Sequence, residues 1–256
     1  MPDILAVLSG SAVGLVLALI GGGGSILATP ALLYVVGVAN PHVAIGTSAL
    51  AVSINAFANL ATHARRGNVK WPCAVVFALS GVIGAAAGTA LGKLTDANIL
   101  LPLFAVLMIV IGAAMLIRRK VELESHVHLD AKNAPRLIAY GLGAGALSGF
   151  FGIGGGFLIV PGLIAAAGMS MIEAVGSSLV SVGSFGAATA ASYAADGLVD
   201  WRIASLFIAG GIAGGLIGAS FAARLVKRRG ALQRVFAGIV FAVAAYMLYR
   251  SLIAPH

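Results

Sequence analysis

The chain has 256 residues, of which 60% are hydrophobic and 9% are charged. A soluble domain carries about 25% charged residues, so this chain has too few polar side chains to cover a water-facing surface; this excludes a soluble enzyme and predicts an integral membrane protein. The net charge of +8 comes from Lys and Arg in short connections, without the interleaved aromatic residues of a nucleic-acid interface, so no nucleic-acid partner is expected.

Apolar runs divide the chain into ten predicted helical segments, which makes the expected fold class all-α and polytopic. In chain order they lie at 4–20, 25–39, 43–62, 71–92, 97–117, 137–151, 157–168, 171–195, 201–223 and 235–250. Residues 119–136 form the one long polar linker. The start of the chain lacks the basic region of a signal peptide, so we interpret 4–20 as a membrane segment of the mature protein.

Two pairs of segments meet at glycine clusters, Gly21-Gly22-Gly23-Gly24 and Gly152-Ile153-Gly154-Gly155-Gly156. The segments in these pairs have roughly 12–17 residues and reach about 18–25 Å, against a hydrocarbon core of about 30 Å. We therefore predict short helices that are broken or re-entrant at the clusters. A hairpin and two tilted spans fit the lengths equally well.

The two halves of the chain match at a spacing of 130 to 132 residues, which predicts a duplicated fold. Gly21 through Pro30 falls on Gly152 through Pro161, and Trp71 falls on Trp201. Further matches pair Gly46-Thr47-Ser48 with Gly176-Ser177-Ser178, and Gly81, Gly84 and Gly88 with Gly211, Gly214 and Gly218. The predicted organisation is a first repeat at 1–118, a cytoplasmic linker at 119–136 and a second repeat at 137–256.

The distribution of charge predicts that the two repeats have inverted topology. The connection at 63–70 has three basic residues and no acid, whereas its counterpart at 193–202 has two acids and one arginine. Basic loops mark the cytoplasmic side, which places 63–70, the central linker and 224–234 inside. Each half then has an odd number of crossings, either five spans or three spans with a re-entrant hairpin. Both chain ends are expected on the outer side of the membrane.

The predicted binding site is made of glycine, hydroxyl and amide groups. All eight Asp and Glu residues lie in connections or at segment ends, so no metal site and no cofactor is expected. Short helices starting near Ser25 and Phe157 would direct unpaired N–H groups and positive dipole ends at a shared anion pocket. The candidate residues are Gly21, Gly22, Gly23, Gly24, Ser25, Thr47, Ser48, Asn55, Asn59, Gly152, Gly154, Gly155, Gly156, Ser177, Ser178 and Ser181, with Ser184 and Thr189 as further lining.

The same residues also fit other interpretations. Serine and threonine in membrane helices often bond to their own backbone, and the glycines at 81, 84, 88, 211, 214 and 218 suit helix packing. His63 with Arg65 and Arg66 is a candidate anion funnel at the inner mouth, although topology alone favours basic residues there. An intramembrane serine hydrolase at Ser9 or Ser148 lacks a histidine base inside a segment.

The duplicated glycine motif, with Pro161 after it and the Gly46-Thr47-Ser48 step, resembles the sulfite exporter TauE/SafE family over essentially the whole chain. Two features differ: Ser25 replaces the last glycine of the first copy, and the family is often described with about eight spans. The resemblance implies outward movement of sulfite, sulfonates or similar sulfur-containing anions. The resemblance and the compact loops also imply a cell inner membrane, so the outer side is the periplasm. The expected partners are a small anion and the lipid bilayer, with the oligomeric state open. Another small organic or inorganic anion, or a membrane assembly role, is the alternative.

Overall fold

The computed structural model describes residues 2–117, 130, 133–152, 156–225 and 229–253, and these residues form helices and no strand. The first half contains α1 (Pro2–Ile20), a 3₁₀ helix (Gly21–Leu27), α2 (Ala28–Pro30), a π-helix (Ala31–Val36), α3 (Pro41–Arg65), α4 (Trp71–Leu94) and α5 (Ala97–Ile117). The second half contains α6 (Ala134–Phe151), α7 (Gly156–Ala167), α8 (Met171–Ala195), α9 (Trp201–Leu225) and α10 (Arg229–Ile253). The prediction of an all-α chain is confirmed.

Five stretches of the described chain are long and apolar enough to cross a membrane, which supports the polytopic assignment. They are Pro2–Leu19, Pro41–Arg65, Trp71–Leu94, Met171–Ala195 and Trp201–Gly218. Shorter apolar helices lie at Gly24–Val36, Asn98–Val110, Leu158–Ala167 and Ala237–Arg250. The helices after the two glycine clusters are therefore too short to span alone, as predicted. α1 was expected to be too short as well, but its 19 residues make it long enough to cross the membrane.

The central helices α3 and α8 begin and end at equivalent signals. The side chain of Asn40 accepts hydrogen bonds from the first N–H groups of α3, and Ser170 forms a capping box with Glu173 at the start of α8. Both helices are followed by a glycine in the left-handed region, Gly67 at φ 70° and Gly197 at φ 72°. The same local chemistry therefore sets the length of both helices, which have 25 residues each.

Glycines bring helices of different halves into close contact, as the packing interpretation predicted. A Cβ added at Gly88 would meet the Ala146 carbonyl of α6, and one at Gly14 would meet the Gly211 carbonyl of α9. α4 therefore packs along α6, and α1 packs along α9. Because membrane helices gain little from burying apolar surface against one another, this close backbone approach is a principal source of their association.

The equivalent helices α3 and α8 run antiparallel and contact each other at their centres. The Ser53 hydroxyl donates to the Gly183 carbonyl at 2.7 Å, and the Asp200 N–H, just after α8, donates to Thr47 near the start of α3. Antiparallel equivalent helices are what inverted repeats require. The inverted topology itself stays a prediction, and this crossing supports it.

The first glycine cluster differs from the expectation of a loop before a helix near Ser25. The 3₁₀ helix starts at Gly21 directly after α1, and the chain continues through α2 into the π-helix. The hydrogen-bond spacing changes on either side of Pro30, which has no N–H to donate. In the second half, α6 ends at Phe151, followed by Gly152 with φ 65°, and α7 starts at Gly156, which confirms the helix expected to start near Phe157.

Candidate functional site

α7 begins inside the depth of the helix bundle. A Cβ at Gly162 would lie 3.8 Å from the Cβ of Tyr140, which aligns the middle of α7 with the first half of α6. α7 runs antiparallel to α6, so Gly156, six residues before Gly162, lies beside about residue 146 of α6. That position is roughly 8 Å before α6 ends. Gly88, six residues from the end of α4, packs at that same level of α6. The first N–H groups of α7 therefore lie well away from either end of the bundle.

The two predicted glycine clusters are carried by elements that pack against each other. The 3₁₀ helix contacts α7, and Ile26 shares a buried apolar cluster with Phe151 at the end of α6. Gly24, Ser25, Gly152 and Gly156 are buried. Gly21, Gly22 and Gly23 lie in the 3₁₀ helix. Gly154 and Gly155 lie outside the described residues. The contact that the anion pocket requires is present, and the binding of a ligand there stays a prediction.

Thr47 and Ser177 hold the connections of the opposite half. Thr47 Oγ1 accepts from the Asp200 N–H at 2.9 Å, and Ser177 Oγ accepts from the Lys70 N–H at 2.9 Å. Both acceptors are fully buried. The two bonds are equivalent at a spacing of 130 residues, and we refer to them together as the repeat clasp. A ligand role for either hydroxyl stays a prediction, and each already has a structural partner.

Ser48 and Ser178 bond to the backbone of their own helices, which is the alternative that was weighed for them. Ser48 donates to the Ile45 carbonyl at 2.9 Å and Ser178 donates to the Val175 carbonyl at 2.8 Å. Ser48 Oγ also lies 2.8 Å from the hydroxyl of Thr29 in α2. Thr29 was missed by sequence reasoning, although its place beside Pro30 in the repeated motif marks it as part of the same element.

Four fully buried side chains of the described chain have polar atoms without a protein partner, those of Asn55, Ser148, Ser181 and Tyr193. Neither the oxygen nor the nitrogen of the Asn55 amide is bonded, and the same holds for the hydroxyls of Ser181 and Ser148. The side-chain nitrogen of Asn59, by contrast, donates a hydrogen bond to the backbone carbonyl of Asn55 at 2.9 Å. Buried polar atoms of this kind are uncommon and call for a ligand or water partner. Asn55 and Ser181 were predicted from the sequence, whereas Ser148 was considered only as a nucleophile.

The described interior holds no fixed charge. No Lys, Arg, Asp or Glu among the described residues is buried. His63 was expected in a connection, but α3 extends to Arg65 and buries His63 in its last turn, with 8% of its surface exposed. Backbone hydrogen bonds continue the helix past its last apolar residue whatever the polarity of the side chains. Hydropathy therefore predicts an end that comes too early.

Charged groups lie at the two ends of the bundle. Lys70 pairs with Glu173 at 2.9 Å where α4 and α8 begin, and Lys93 pairs with Asp196 where they end. The second end also carries a groove of about 700 Å³, lined by residues 39–42 and 93–96. There the Lys93 ammonium lies 5.9 Å from the centre of the Tyr193 ring. The groove is at the end that the charge pattern predicts to face outward.

Comparison with known proteins identifies the family. The sulfite exporter TauE/SafE family matches residues 6–247. The chain is 53% identical over 249 residues to a "Probable membrane transporter protein" of Xylella fastidiosa (strain Temecula1), covering 97% of this chain and 95% of that protein. It is 26% identical to "Probable membrane transporter protein YdhB" of Bacillus subtilis (strain 168), covering 81% and 85%. No solved structure matches. The chain therefore belongs to the sulfite exporter TauE/SafE family and is a membrane transporter.

Proposed function

We propose that this protein exports a small sulfur-containing anion, such as sulfite or a sulfonate, from the cytoplasm by alternating access. The observation that carries the proposal is the start of α7 inside the bundle, about 8 Å before α6 ends, packed against the 3₁₀ helix of the other half. The first N–H groups of a helix attract anions through their unpaired donors and the positive end of the dipole. The family name supports the choice of a sulfur oxyanion.

Among the described residues no Lys, Arg, Asp or Glu is buried, and the buried His63 lies in the last turn of α3; this supports facilitated movement of the anion rather than coupled uptake. A coupling proton or cation is commonly held by an ionisable side chain within the membrane. With the cytoplasm negative, each unit of negative charge gains about 2.3 kcal/mol per 100 mV on leaving. The membrane potential alone therefore suffices to drive export.

The proposed topology places the repeats at 1–118 and 137–256 with inverted orientation in the inner membrane, and both chain ends outside. The antiparallel crossing of α3 and α8 supports this arrangement. Arg65 and Arg66, at the end of α3, would then face the cytoplasm, and the groove beside Lys93 would face the periplasm. Alternating access would open the central polar region to each side in turn.

The test is anion flux from proteoliposomes under an imposed membrane potential and without a pH gradient. The panel contains sulfite, two alkyl sulfonates, sulfate, and the carboxylates acetate and pyruvate as anions without sulfur. We expect potential-driven flux of sulfite or a sulfonate well above empty liposomes. Selective flux of a carboxylate would contradict the substrate class, and flux that requires a pH gradient at zero potential would contradict the uncoupled mechanism.

A pair of serine variants tests the polar interior. Ser181→Ala removes a fully buried hydroxyl that has no protein partner, whereas Ser80→Ala removes a buried hydroxyl that bonds to its own helix. A hydrogen bond to a charged group contributes about 1.5–3 kcal/mol, which corresponds to about a tenfold or greater loss of flux at Ser181. Ser80→Ala should retain the flux. Equal effects of the two changes would contradict the assignment.

A further inference from the structure

We infer that the transported anion passes along the α3–α9 interface and contacts the side-chain amide of Asn55, while the equivalent notch filled by Phe185 in the α4–α8 interface stays closed. This inference rests on the proposed anion transport. It adds a route and a contact residue that the pocket at the glycine clusters does not specify.

The two interfaces are equivalent in the repeat but are filled by different side chains. A Cβ added at Gly211 in α9 would meet the amide of Asn55, and a Cβ added at Gly81 in α4 would meet the ring of Phe185. Asn55 and Phe185 are 130 positions apart, as are Gly81 and Gly211. The same glycine notch is thus occupied by a polar amide in one half and by an aromatic ring in the other.

The Phe185 ring and the threonine hydroxyls of the α4–α8 interface have partners within the protein, whereas the Ser181 hydroxyl, one turn before Phe185, has none. Phe185 stacks on Phe77 with ring centres 6.4 Å apart, and the hydroxyls of Thr89 and Thr189 lie 3.2 Å apart. The α3–α9 interface instead buries the Asn55 amide completely with neither polar atom bonded. Burying an unbonded amide costs about 2–7 kcal/mol, which the other half avoids by using phenylalanine. A transported ligand that bonds the amide in one conformation accounts for keeping it.

Two ion pairs join α4 to α8, one at each end of the interface. Lys70, the residue before α4, pairs with Glu173 in the first turn of α8. Lys93 in the last turn of α4 pairs with Asp196, the residue after α8. Contacts at both ends oppose separation of these two helices.

The equivalent positions of the α3–α9 interface have no such pairs. At a spacing of 130 residues, the Lys70–Glu173 pair corresponds to Asp200 and Val43. The Lys93–Asp196 pair corresponds to Ala223 and Arg66. Neither combination of side chains can form a salt bridge. The α3–α9 interface therefore lacks equivalents of these two partly exposed ion pairs, and the bond from the Asp200 N–H to Thr47 joins it at one end.

α9 is free to separate from α3 only together with α1. A Cβ at Gly10 would lie 2.9 Å from the Phe207 Cα, and one at Gly14 would lie 2.7 Å from the Gly211 Cα, so the two backbones are in direct contact. We assign α1 and α9 to one rigid unit. Its movement away from α3 would expose the Asn55 amide to the path.

The chemistry of an amide suits a transported oxyanion. The Asn55 nitrogen has two N–H donors for anionic oxygens and carries no net charge. A transport site has to bind strongly enough to replace hydration and weakly enough to release the ion. A neutral donor meets both conditions, since no Lys, Arg, Asp or Glu is buried in the part of the chain that the structure describes.

The test compares chemical access to the two equivalent notches. Cys73 is the single cysteine of the chain, so Cys73→Ser provides a thiol-free background for Asn55→Cys and Phe185→Cys. Proteoliposomes are treated with sulfonatoethyl methanethiosulfonate, a small anionic thiol reagent that is itself a sulfonate. Modification is followed by intact-protein mass spectrometry. We expect Asn55→Cys to react at least tenfold faster than Phe185→Cys.

Equal rates, or faster reaction at residue 185, would overturn the inference. If Asn55→Cys does not fold, the equivalent pair Asn59→Cys and Thr189→Cys gives the same comparison one turn further along. Selective labelling in a protein that moves no sulfur anion would refute the proposed substrate and leave the route standing. Transport without selective labelling would refute the route alone.

Flux and stability together separate a contact residue from a structural one. Asn55→Ala should lower sulfite or sulfonate flux more than tenfold while leaving the thermal unfolding temperature within a few degrees, because the amide bonds nothing in the protein. Phe185→Leu should retain flux. Loss of flux that follows loss of folding in both variants would show that Asn55 only packs.

Discussion

Replacing Gly145 by alanine tests whether backbone contact between α4 and α6 stabilises the bundle. A Cβ at Gly145 would lie 2.6 Å from the Gly81 carbonyl carbon and 2.7 Å from its Cα. Carbon atoms in favourable contact lie about 3.5–4.0 Å apart, so the helices would have to separate by about 0.8 Å or more. No side chain can rotate to relieve the overlap, since both facing atoms belong to the backbone.

Overpacking of this kind costs about 1–3 kcal/mol in the free energy of unfolding. At about 2–4 °C per kcal/mol for a chain of this size, the unfolding temperature should fall by roughly 2–12 °C. The assay is thermal unfolding in detergent with a thiol-reactive fluorophore. Cys73 is 1% exposed and is the only thiol in the chain, so it reports unfolding directly.

Gly143→Ala is the matched control, because it lies on the same helix and a Cβ there meets nothing within 4 Å. Alanine is favoured over glycine in a helix by up to about 1 kcal/mol, so this variant should melt at the same temperature or higher. A similar loss of stability in Gly143→Ala and Gly145→Ala would refute the assignment of Gly145 to a tight helix contact.

Three further predictions use the same unfolding assay. Thr47→Val and Ser177→Ala each remove one acceptor of the repeat clasp and should each lower the free energy of unfolding by about 1–3 kcal/mol; a loss in only one of them would contradict their equivalence. Lys93→Gln should lower it by less than about 1 kcal/mol, with a smaller difference from wild type at high salt, because the Asp196 carboxylate is 48% exposed; a loss of several kcal/mol would be contrary to this reasoning. Gly152→Ala should cost at least about 1–2 kcal/mol because φ is 65°, and an unchanged melting curve would show that the turn relaxes.

The positions of the helices were largely predictable, because hydropathy and local capping both act through the sequence itself. α8 was expected at 171–195 and runs from Met171 to Ala195, where the Ser170 capping box fixes its start. α10 was expected from 235 but begins at Arg229. Polar side chains there concealed a helix whose backbone hydrogen bonds do not depend on them.

The form of the first glycine cluster was not predictable from apolar runs. Hydropathy gives the length of a segment but contains no information on whether its hydrogen bonds span three, four or five residues. The chain from Gly21 to Val36 uses all three spacings. The matching cluster at Gly152 ends α6 with a left-handed glycine, so similar sequences adopted different local geometry.

The residues of the site were partly predictable, and the partners of each were not. Asn55 was selected because an amide in an apolar segment is unusual, but its unbonded state depends on the notch at Gly211 in a distant helix. Thr47 was expected to line a pocket, and it bonds to Asp200, 153 positions away. The exchange of Asn55 for Phe185 is a property of the sequence alone, because the two residues occupy the same position of the repeat at a spacing of 130.

The repeat clasp also constrains how the protein is made. Thr47 is synthesised long before its donor at Asp200, and translation at about 5–20 residues per second separates them by roughly 8–30 s. During that interval α1 and α3 enter the bilayer without α9, the helix on which both of them later pack. The newly inserted first half must therefore wait in the bilayer as an incomplete assembly, and membrane insertion factors that shield its small-residue faces would raise the yield of the finished transporter.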